Sequence, residues 1–142
     1  MGRVLSDAGR GLGAAVLTVL LALVAPPAMR VPIVGVLLGV AAGVYPGFAQ
    51  SGAAAGSQPA AGAAEARLQW VVALLFATIA VIGIAVSAWG LVAGWVLHAA
   101  WDARHHAGRR GDWVPRRYPM FCLTYDLGLA AFAAWLALGG SA

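Results

Sequence analysis

Lysine is absent from this chain and acids are scarce. Its nine basic residues are all arginine, and only five aspartates and glutamates oppose them. Charged residues make up 10% of the 142, where a soluble domain carries about 25%. That shortage excludes an ordinary soluble fold and leaves no basic soluble domain for nucleic-acid binding. The net charge of +4 then reports membrane topology and contact with anionic headgroups. A single cysteine, Cys122, excludes an intrachain disulfide. Three histidines make haem a weak reading, with His98 as an axial candidate. No Ser-His-Asp order suggests a hydrolase. The glycines of GRGLG at 9–13 do not follow a strand, so they form no dinucleotide loop.

What the chain has in excess is apolar sequence, 62% of its residues. This is the profile of an integral membrane protein. The runs predict an all-α helical bundle of about five transmembrane helices, near residues 11–27, 31–48, 68–84, 88–104 and 119–138. Pro26 and Pro27 mark a tight turn between the first two. Residues 51–66, rich in Ala, Gly and Ser, read as a flexible linker. Residues 68–101 carry no charge, but one helix of that length would measure about 51 Å against a hydrocarbon core of about 30 Å. Two helices with a turn near Gly83–Gly90 fit better.

Charge placement supports that count. With the N-terminus in the cytoplasm, Arg3, Arg10, Arg67, Arg104, Arg109, Arg110, Arg116 and Arg117 fall inside and Arg30 outside. The expected location is a bacterial inner membrane with lipids as surroundings. A chain this small calls for a homo-oligomer to form a pathway. The alternative is four spans plus a cleaved signal, since MGRVLSDAGR and the run after it resemble a signal peptide with a poor cleavage site.

The chemistry concentrates in HAAWDARHH at 98–106, which holds all three histidines and one of the five acids. At about 100° per residue, His98, Asp102, His105 and His106 share an arc of about 100° on one helix. An imidazole and a carboxylate at i, i+4 suit a shared metal ion such as zinc or iron. The next helix offers FCLTYD, in which Cys122 and Asp126 share a face. His98 lies roughly 9 Å inward from Arg104, and Asp126 roughly 10 Å inward from Pro119, so the two can meet.

Three readings stay open. In the first, His98, Asp102 and His105 bind a divalent metal, His106 orients a ligand, and Asp126 is a fourth ligand or general base. Arg116 and Arg117 would then hold an anionic headgroup. That describes a metal-dependent enzyme on a lipid or other apolar substrate. In the second, His98 and Asp126 form a proton relay in a transport component. In the third, the cluster is a structural tie between helices and Cys122 is a small core residue. The aromatics Trp70, Trp95, Trp101, Trp113 and Tyr118 read as an interfacial belt. Gly35, Gly39 and Gly43 read as a face for close helix packing.

GWVLHAAWDARHH at 94–106 also resembles an uncharacterised family of small bacterial polytopic membrane proteins. That family's pattern matches Gly94, Trp95, His98, Trp101, Asp102, His105, His106, Cys122 and Asp126. It has a second cysteine where this chain has Tyr125, which argues against a cysteine-rich site. The resemblance implies a polytopic bundle and brings no activity with it. The spacing is similar, too, to half of the histidine box of membrane di-iron hydroxylases. Those use about eight histidines, so a mononuclear or shared site is the version left.

Overall fold

In an apolar medium only a helix pairs every backbone N–H and C=O within its own segment, so apolar runs separated by Pro, Gly and Arg dictate a bundle. The computed structural model describes residues 2–51, 61–106 and 113–140. Among them the chain is all helix: α1 (Gly2–Val24), α2 (Pro27–Ala42), α3 (Val44–Ser51), α4 (Ala63–Ala85), α5 (Ala88–His106) and α6 (Tyr118–Ala137). Four segments are long and apolar enough to cross a membrane: Val4–Val24, Pro27–Gln50, Ala63–Ala85 and Tyr118–Ala137. The second of these joins α2 and α3 into one kinked span. At 19 residues α5 matches the others in length, and its lower hydropathy comes from buried His98, Asp102 and His105 together with exposed Arg104 and His106.

Several boundaries differ from the sequence reading. Helix α1 is already formed at Gly2 rather than near residue 11, because its polar first turns stay compatible with helix. Of the expected linker, Ser51 and 63–66 are helical. Residues 52–60 lie outside the described residues, as do Arg109 and Arg110. The turn between α4 and α5 falls at Val86 and Ser87, and the Trp89 N–H donates to the Ser87 hydroxyl oxygen at 3.4 Å, a helix N-cap. Pro27 opens α2, where a missing N–H costs nothing.

Packing is set by small residues. Helix α6 is central: α5 lies along one side of it and α1 along another, while α4 covers α2 and α5. Leu38, Leu91, Trp95, Leu129 and Ala133 are fully enclosed at the centre. Gly83 and Gly90 let α4 and α5 cross closely; a Cβ on Gly90 would sit 3.1 Å from the Gly83 Cα. Of the glycines on α2, only Gly35 does this work, against Ile84. Gly39 faces open space and Gly43 marks the end of α2. Trp95 and Trp113 are buried within the protein, their rings filling space between packed elements.

Gly11 brings α1 against α6. A Cβ there would collide with the Phe121 carbonyl and the Thr124 hydroxyl, and Thr124 already donates to the Ala8 carbonyl at 2.9 Å. Gly11→Ala should therefore cost about 1–3 kcal/mol through overpacking, read as a lower melting temperature in detergent. Gly13→Ala, with nothing within 4 Å, should be neutral or gain up to about 1 kcal/mol from helix propensity. Equal melting temperatures for the two variants would contradict this contact.

Candidate metal centre

The buried face of α5 carries Leu91, Trp95, His98, Asp102 and His105 at helical spacing. The facing stripe of α6 carries Pro119, Cys122, Asp126 and Leu129. The α5–α6 contact is the most extensive in the bundle, and its polar groups meet at one level. His98 Nδ1 lies 2.6 Å from Asp126 Oδ2 and 3.8 Å from Asp102 Oδ2. His98 is 2% exposed, Asp102 0% and Asp126 1%. The imidazole also hydrogen-bonds the backbone of Ala41, in the last turn of α2.

Charge bookkeeping singles this cluster out. Two carboxylates and one imidazole carry at most one positive charge among them. Among the described residues, His98 is the only cation-forming group paired with either aspartate. Buried charge without compensation is unstable, so one carboxyl group either holds a proton, shared in the hydrogen bond between Asp102 and Asp126, or faces a cation. Asp102 Oδ2 also has no hydrogen-bond partner. His98, Asp102 and Asp126 offer ligand atoms all within 4.8 Å of one another and could hold a metal ion. Two atoms bound to one ion at about 2.0–2.2 Å lie no more than about 4.4 Å apart. The 3.8 Å His98–Asp102 separation therefore suits two ligands of one ion. The 2.6 Å contact is a direct hydrogen bond that an ion would replace.

Tyr45 completes the cluster and was not legible as a site residue. Its hydroxyl donates to Asp102 Oδ1 at 2.7 Å. Pro46 places it there. Proline has no N–H for the carbonyl four residues back and its ring crowds that turn, and the helix breaks at Gly43 between α2 and α3. The Tyr-Pro pair inside an apolar run was the available signal.

Next to the centre lies a second polar network. His105 Nδ1 lies 2.8 Å from the Trp101 carbonyl. A carbonyl only accepts, so Nδ1 carries the hydrogen and Nε2 is an acceptor. Gln69 Nε2 supplies a donor to it at 3.5 Å and to Glu65 Oε1 at 2.7 Å. Gln69 Oε1 accepts from the Trp101 indole at 3.2 Å. Gln69 is 1% exposed, an uncharged polar residue hidden in an apolar run.

The expected ligands therefore divide. His98, Asp102 and Asp126 come together. His105 does not join them, because both its nitrogens serve the Gln69–Trp101 network and its ring stacks on Tyr45 at 4.2 Å. His106 points outward and is exposed. Cys122 is buried beside the centre, where the Tyr118 hydroxyl hydrogen-bonds its sulfur. Trp101 lies in the Gln69 network, with Arg104 over its ring at 5.1 Å. Arg116 and Arg117 are both exposed. Arg117, Arg10, Asp7, Tyr118 and Phe121 line a surface pocket of about 290 Å³.

Gln69→Leu removes the acceptor of the Trp101 indole and the donor to His105. Each unmet buried polar group costs about 1–3 kcal/mol, so unfolding in detergent should shift clearly to lower temperature. His106→Ala should stay within about 0.5 kcal/mol of the parent. A larger loss for His106→Ala than for Gln69→Leu would contradict this assignment. Comparison with protein-family models, with curated proteins and with solved structures finds no match.

Proposed function

We propose that this chain is a five-span protein of the bacterial inner membrane, N-terminus cytoplasmic, that holds a divalent metal ion at His98, Asp102 and Asp126. The observation that carries this reading is the buried, cation-deficient cluster of one imidazole and two carboxylates, with Asp102 Oδ2 unpartnered. Helix α5 is read as a further span, the fourth in chain order, its polar face turned inward as intramembrane ionisable groups require. The arginines near the ends of α1, α5 and α6 stay on one side in this orientation. Of the nine residues that carry the resemblance to small bacterial membrane proteins, His98, Asp102, Cys122 and Asp126 lie at or beside this centre, Trp101 and His105 lie in the adjoining Gln69 network, and His106 is exposed.

One nitrogen and two carboxylate oxygens suit zinc or iron. Three protein ligands leave a coordination position open, as catalytic zinc sites do. A divalent ion there supplies Lewis acidity or an activated water. Asp126 serves here as the third ligand, and its hydrogen bond to His98 belongs to the ion-free centre. The arginine-rimmed pocket at Arg10 and Arg117 suits an anionic headgroup, and the apolar surround favours a lipid or other apolar substrate. Lipids are the expected surroundings, with a second copy of the chain as a further partner.

The 2.6 Å His98–Asp126 contact favours a second reading, in which that pair passes a proton in a transport component. Metal analysis of detergent-purified protein separates the two. About one divalent ion per chain, lost in His98→Ala and Asp102→Asn, is expected from a three-ligand site. Folded parent protein that takes up no zinc or iron would sink the metal reading. Loss of proton-linked uptake in Asp126→Asn liposomes would then favour the relay.

A further inference from the structure

We infer that Tyr45 fixes how Asp102 presents itself to the ion, so that the carboxylate offers one oxygen rather than two. This rests on the metal reading above. A carboxylate can bind a metal through one oxygen or chelate it through both. In this centre Oδ1 is occupied by the Tyr45 hydroxyl at 2.7 Å. Oδ2 has no partner and lies on the His98 side, 3.8 Å from Nδ1. The phenol thereby divides the two oxygens of one side chain between two roles.

Tyr45 is itself held in place. It is 2% exposed, and a tyrosine has only two side-chain torsions to fix. One face of its ring stacks on His105, centroids 4.2 Å apart and planes 23° apart. Tyr118 meets it edge-on at 5.9 Å, and Phe48 and Trp113 do so at 6.4 Å. His105 cannot swing away without breaking its bonds to Trp101 and Gln69. The Gly43 break supplies the last constraint, because it sets the direction in which α3 leaves α2. Tyr45 is thus a positioning residue, and His105 positions it in turn. Hydrogen-bonding partners of ligating groups are worth about 10–100-fold in metal affinity.

The test uses full-length protein in detergent, titrated with Zn²⁺ against a competing chelator and loaded with Co²⁺ for visible spectroscopy. Tyr45→Phe keeps the ring and removes only the hydroxyl. It should bind Zn²⁺ about 10–100-fold more weakly. Its Co²⁺ bands should weaken as Asp102 chelates and the coordination number rises, a change that a purely structural tyrosine would not cause. His105→Phe keeps the stack and should retain the metal and the parent spectrum. His105→Ala should move affinity and spectrum toward Tyr45→Phe. Parent-like affinity and spectrum in Tyr45→Phe would overturn the inference while leaving the metal site standing. Loss of metal in a folded His105→Phe would overturn it too, by making His105 a ligand. If the parent chain binds no metal, the site reading and this inference fall together.

Discussion

Two carboxylates and an imidazole meet between α5 and α6, where water does not reach. Insertion scales put one aspartate at a helix centre at about 2.5–3.5 kcal/mol. Such a group persists only with a partner that offsets it. That requirement orders the rest of the bundle. It aligns His98 with Asp126 at 2.6 Å, fixes the depth of α6 against α5, and turns the polar stripe of α5 inward. Apolar packing alone would tolerate several rotations of α5, since lipid tails satisfy its leucines and valines as well as another helix does.

Around that contact the structure spends polar groups in layers. Tyr45 takes one oxygen of Asp102, His105 stacks on Tyr45, and Gln69 satisfies His105, Trp101 and Glu65 together. Helices α3, α4, α5 and α6 all contribute. Each of these side chains has a hydrogen-bond partner, whereas Asp102 Oδ2 and the indole N–H of Trp95, whose ring adjoins His98, have none.

The fold class was readable because the bilayer thickness restricts span length and because helix is the available backbone solution for separate apolar runs. The turn at Pro26–Pro27 followed from proline chemistry. The site was readable in part. His98, Asp102 and Asp126 stood out as rare ionisable groups on two helical faces at matched depth. Gln69 and Tyr45 did not, since an amide in an apolar run and a tyrosine before a proline have many uses. His105 shared the helical arc of His98, and only the position of Trp101 and Gln69 showed that its nitrogens were taken. The burial of Trp95 and Trp113 within the protein was likewise not legible, because exposed and packed tryptophans look alike in sequence.

The sequence by itself determined that the chain is an all-α bundle with several membrane-length apolar helices, and that His98, Asp102 and Asp126 lie on two of them. Composition and periodicity suffice for this, because both are local properties of the chain. Which of those groups face one another was decided by tertiary structure. The Gly43–Pro46 break brings Tyr45 to Asp102, Gln69 draws His105 aside, and close α5–α6 packing brings Asp126 to His98. Those outcomes depend on contacts between residues far apart in the chain, each a competition among partners that no local pattern records.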